Sequence, residues 1–154
     1  MRELHAELVK AARGAADPVE GLRAGIAEYL RVCSEPRRQR ILLIDGPAVL
    51  GWHRWREMDA GYGLGLLNQG LAAALGSRRL RAGDVELLAH LLLGAVTEAA
   101  MVLARSAHPR AERRHAERAL NEMIQSWTGE DRTGHRAVKA RSAIIPARST
   151  PVGR

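Results

Sequence analysis

Phenylalanine is missing altogether, and three Trp and two Tyr make up the whole aromatic content, 3% of the chain. A β-sandwich or barrel draws on aromatic and β-branched residues, so this scarcity argues against a core built from sheets. Ala and Leu dominate the apolar set, which favours helices. Cysteine occurs once, at Cys33, which excludes an internal disulfide framework and a cysteine-based zinc site. Its thiol is expected to behave as a small buried hydrophobe. Lysine is nearly missing, with 2 Lys against 22 Arg. That ratio reflects GC-rich coding, so the basic pI is not read as a DNA-binding signal. Long charge-free apolar runs are missing too. The most apolar stretch, Leu87 to Leu103, contains His90 and Glu98 and reads as a buried core helix rather than a membrane span. The N-terminus shows no apolar signal segment, so a cytoplasmic location is expected, with no membrane partner.

What is present fits one helical domain. The 154 residues are 46% hydrophobic, enough to bury a core. The charge is uneven. Residues 1–126 carry 18 Lys and Arg against 15 Asp and Glu, whereas residues 127–154 carry 6 against 2. Periodicity stops at Trp127, beyond which Gly, Pro, Ser, Thr and Arg prevail. The expected organisation is therefore a domain over residues 1–127 and a disordered basic tail over 128–154.

Residues 1–13 read as a short amphipathic helix ended by Gly14. Asp17-Pro18-Val19-Glu20 is a helix start, with Asp17 as cap, Pro18 in the first turn and Glu20 at the capping-box position. The helix then runs through Leu22, Ile26, Tyr29, Leu30 and Cys33. Residues 37–44 are a short helix by pattern, although Ile41-Leu42-Leu43-Ile44 has high strand propensity. After the turn Asp45-Gly46-Pro47, residues 47–75 read as an interrupted helix. Ser77 to Gly83 is a basic loop, Asp84 caps an apolar helix over 85–105, and His108-Pro109 opens a last helix over 109–127.

The helix at 85–105 is apolar over an arc well beyond the ~100° of an ordinary surface helix. It must bury two surfaces, and in a short chain the second is expected at a subunit boundary. Leu88, Leu92, Ala95, Val96, Ala99 and Leu103, with Ala116, Leu120, Met123 and Trp127 of the last helix, are the expected interface residues. Two such helices from each of two subunits make an intermolecular four-helix packing. An Asp at Leu92 or Ala99 is expected to break it.

Motifs of catalysis are not found. The Gly61-Tyr62-Gly63-Leu64-Gly65 run follows no strand and matches neither phosphate-binding glycine pattern. There is no HExxH and no nucleophile elbow, so no catalytic residue, metal ligand or cofactor is assigned and no enzyme activity is expected. The best candidate for a ligand wall is the face shared by Trp52, Trp55, Asp59, Tyr62 and Leu66. Ordinary core packing is the competing reading. Thr97, Glu98 and Met101 of the apolar helix are placed to face that stripe. The alternative for Glu98 is an ion pair or exposure to solvent.

The run Ile41-Leu42-Leu43-Ile44-Asp45-Gly46-Pro47-Ala48-Val49-Leu50-Gly51-Trp52-His53-Arg54-Trp55-Arg56-Glu57-Met58-Asp59 resembles a segment of the ligand-binding domain of TetR-family transcriptional repressors. So do Tyr62 to Leu67 and Leu91 to Met101, in the same order. The resemblance covers residues 1 to about 125. It implies an all-α, TetR-like C-terminal domain whose last two helices dimerise and whose interior takes a small apolar effector. It also implies that effector binding releases DNA by shifting the DNA-reading heads. The chain departs from the family in lacking a recognisable helix-turn-helix head, so DNA would be reached only through a head not present here. His108 also stands where an acidic cap is more usual, and the tail has no counterpart. Two readings follow: the effector-binding and dimerisation domain of a regulator, working as a homodimer, or a headless interaction protein that heterodimerises with full-length family members.

Overall fold

The computed structural model describes residues 2–77 and 84–128. Within them the chain forms α1 (Arg2–Arg13), α2 (Pro18–Cys33), α3 (Pro36–Gln39), a π-helical turn (Arg40–Asp45), α4 (Gly46–Leu50), α5 (Trp52–Gly76), α6 (Val85–Arg105) and α7 (Pro109–Trp127). No strand occurs among the described residues, so the fold is all-α. The basic loop, from residue 78 on, and the tail, from residue 129 on, lie outside them.

Local chemistry sets the helix starts. The Asp17 carboxylate accepts from the backbone N–H of Val19 (2.8 Å) and Glu20 (3.0 Å), satisfying donors that the first turn of α2 leaves open. Asp84 accepts from the N–H of Leu87 (3.0 Å) at the start of α6. Glu20 turns to Arg23, 2.6 Å away.

The segment between α2 and α5 departs from a simple helix. In a continuous α-helix the Pro47 ring would clash with the carbonyl of residue 43, which it also cannot serve as a donor. The chain instead widens to π geometry just ahead of the proline, and the Gly46 N–H reaches back to the Ile41 carbonyl. The expected interruption between 47 and 75 falls at Gly51, whose φ of 79° lies in the left-handed region and separates α4 from α5.

The core gathers Val19, Leu22, Ile26 and Leu30 of α2, Leu71 and Ala74 of α5, the inner face of α6, and Leu120 and Ile124 of α7. α5 and α6 run antiparallel. Gly63 lies so close to Leu93 that an added Cβ would come within 2.8 Å of Leu93 Cδ1. Gly61 and Gly65 face open space. The glycine run therefore serves one close helix contact at its central member.

The residues of α6 divide differently from the expected interface set. Leu92, Val96, Leu103 and, on α7, Leu120 are buried inside the protein's own core. The outward apolar residues are instead Leu87 (56% exposed), Leu91 (54%) and Val102 (39%). Leu88, Ala95, Ala99, Ala116, Met123 and Trp127 are half-buried and pack against the core. The exposed apolar stripe lies about 100° from the expected one because a helix apolar over so wide an arc does not mark its inner face.

Candidate functional site

The site is organised by the first three turns of α5. Trp55 is buried, and its indole N–H donates to the Leu42 carbonyl at 2.8 Å. That carbonyl is available because the Gly46 N–H is spent on Ile41 and Pro47 has none. Gly46 also makes room: an added Cβ there would lie 3.2 Å from Trp55 Cδ1 and 3.0 Å from the Ile41 oxygen. Trp52, 56% exposed, leans on Trp55 with ring centroids 5.1 Å apart. Tyr62 is half-buried and meets the His5 ring of α1 edge-on at 6.2 Å.

One turn beyond Trp55, Asp59 is buried at 6% exposure and faces α6. Its Oδ2 lies 3.1 Å from the Thr97 hydroxyl and 3.4 Å from Arg56 Nη1. Arg56 Nη1 also donates to Thr97 Oγ1 at 2.9 Å. The Thr97 hydroxyl has one proton and two acceptors in reach, Asp59 and the Leu93 carbonyl at 2.8 Å. Burial raises the Asp59 pKa above the ordinary carboxylate value, opposed by the Thr97 hydrogen bond and the Arg56 charge. Tyr29 and Cys33 of α2 border the same interior. Burial pushes the Tyr29 phenol well up, helped by the charges of Cys33 and Asp59. Burial also pushes the Cys33 thiol up to about 12, so it is no nucleophile at neutral pH. Among the described residues no group of three His, Cys, Asp or Glu is placed to hold a metal ion.

The structure thus brings Trp55, Asp59 and Thr97 together and sets Tyr62 one turn along α5. Leu66 and Met101 are half-buried. Glu98 does not face the stripe: it is exposed and pairs with Arg105 at 3.2 Å. One residue is 100° of helix, which carries position 98 out of the interior that Thr97 occupies. Arg56 and Tyr29 were missed. Arg56 had a signal, an opposite charge three residues before Asp59 on the same helix. Tyr29 was hidden among the apolar positions of α2.

An open groove of about 640 Å³ lies elsewhere, between α1 and α2. Glu7, Lys10, Glu28, Arg31 and Arg38 rim a floor of small residues, and no member of the aromatic stripe lines it. Glu7 pairs with Arg38 at 2.9 Å, and Arg31 pairs with Glu28 at 2.8 Å and with Glu35.

The family model described as tetracyclin repressor-like, C-terminal domain matches residues 19–127. Among solved structures, a TetR-family transcriptional regulator from Pectobacterium atrosepticum superposes with a TM-score of 0.76 at 25% identity. The match covers 85% of this chain and 67% of that one. No curated protein matches the chain significantly. The order of helices and the family match over more than half the chain agree: the protein belongs to the family of tetracyclin repressor-like C-terminal domains, the general ligand-binding and dimerisation part of a transcriptional regulator.

Proposed function

We propose that the chain binds a small, largely apolar effector against Trp55, Asp59, Tyr62 and Thr97, and pairs with a second copy through the outer face of α6 flanked by α7. The observation that supports this reading is the contrast between two sides of α6. Thr97 and Leu93 pack against Asp59 and Gly63 of α5 on one side of this helix, and Leu87, Leu91 and Val102 stand exposed on the other. A ligand that favours one packing of α5 against α6 would therefore bias the partner surface as well, which is a population shift through one shared element. Regulators of this family are generally not enzymes, and this reading assigns the protein no reaction. It places the protein in the cytoplasm.

Trp55 and Trp52 report on the site directly. Titrating a panel of apolar small molecules should give a saturable change in Trp emission for at least one of them. A flat response across the panel overturns the effector reading. DNA would be engaged through a head supplied by sequence outside residues 1–154, or by a full-length partner as in the heterodimer reading. The intact mass of the protein isolated from its own cells separates the two: a mass clearly above 16.8 kDa supports the first.

A further inference from the structure

We infer that the effector carries a cationic amine, and that Arg56 occupies the place of that amine in the unliganded protein. The inference rests on the effector-site reading and names the chemistry of the same site.

Asp59 is the acidic group of the interior cluster, and its side chain is only 7% exposed. Its charged partner is a poor fit. Arg56 Nη1 stands 3.4 Å from Oδ2, longer than the ~2.7–2.9 Å of a good charge-assisted bond, and only one of its nitrogens engages the carboxylate. The Arg56 side chain is 34% exposed, so it reaches the carboxylate from the solvent side. A guanidinium on a long flexible stem, lying at the mouth of a buried carboxylate and also bonded to Thr97, can swing outward into water when another cation takes its place beside the acid, since an unpaired buried charge costs several kcal/mol. Its departure would leave Asp59 and the Thr97 hydroxyl, two acceptors converging from α5 and α6.

The surroundings favour a positive occupant. Trp55 lies one turn before Asp59 and Tyr62 one turn after, and Tyr29 is close enough for its phenol to feel the Asp59 charge. Aromatic faces attract cations, and a desolvated carboxylate attracts them more. A carboxylate ligand would meet the repulsion of Asp59. A neutral ligand would leave Arg56 in place and gain nothing from the acid. A protonated amine on an apolar body satisfies both parts of the site.

Phenylbutylamine, phenylbutanol and phenylbutyrate share one body and differ in the charge of the head. Calorimetric titration of the full chain at neutral pH is expected to rank the amine above the alcohol by about tenfold in affinity, with the acid weakest. Asp59→Asn should bring amine and alcohol level. Arg56→Gln, which removes the internal competitor, should tighten the amine alone. Circular dichroism of both variants establishes that they fold, and because the two shifts have opposite signs, general destabilisation does not reproduce them. Equal binding of all three probes, or preference for the acid, overturns the cationic assignment and leaves the effector site standing. Binding of none overturns both.

Discussion

Trp55 keeps its place because Pro47 cannot donate a hydrogen bond. The proline forces the turn before it into π geometry, the Leu42 carbonyl loses its helical partner, and the indole supplies one at 2.8 Å. Trp55→Phe keeps most of the ring volume and deletes the donor. Leaving that carbonyl without a partner should lower stability by about 1–3 kcal/mol in urea unfolding, and the remaining Trp emission should show greater solvent exposure near Trp52. A loss below about 0.5 kcal/mol would mean that the backbone finds another partner there. The residue scale is also where the sequence was least legible. Trp55 was visible as an aromatic on a stripe, but its partner was a main-chain oxygen thirteen positions earlier, which no side-chain pattern reveals.

At the scale of elements, α1 is joined to α2 and α3 by ion pairs at their rim, and Glu7 is the hub. The hydrogen bond from Arg38 holds the Glu7 carboxyl below its ordinary value of 4.5, and that from Arg31 does the same for Glu28. Carboxylates with depressed values stabilise the folded state above their ordinary pKa, and that contribution drains as pH falls through the depressed values. Asp59 works in the opposite sense. Its raised value means that the folded protein holds this proton more tightly than the unfolded chain, so its contribution grows as pH falls towards 3.8. Thermal melts between pH 7 and pH 3 should therefore show Glu7→Gln losing less stability on acidification than the parent, and Asp59→Asn losing more. The Glu7 effect should be small, because the pair is open to solvent. Matching pH profiles for the parent and Glu7→Gln would remove the rim contacts as a source of cohesion for α1.

For the whole molecule the proposed pairing through the outer face of α6 is the claim to test. Leu91→Asp places a charge on the exposed stripe and should give a folded, soluble monomer by sedimentation. Leu92→Asp places it in the core and should prevent folding, since an unpaired buried charge costs several kcal/mol. A soluble Leu91→Asp dimer would mean that subunits pair elsewhere. The alternating outcome at adjacent residues is a stringent check, because composition treats the two leucines alike.

Much of this protein was determined by sequence alone. Asp17 and Asp84 announce the starts of α2 and α6 through caps that act within three residues, and Leu22, Ile26, Leu30 and Cys33 mark the inner face of α2 by spacing. Local hydrogen bonding and helical period are short-range properties, so they survive without a fold. The tertiary structure alone decided three things: which leucines of α6 turn inward, that Glu98 faces solvent while Thr97 is buried against Asp59, and that Arg56 closes on Asp59. Each depends on the rotation of one helix against another. A helix apolar over so wide an arc does not encode that rotation, and only the packing of α5, α6 and α7 against a shared core selects it.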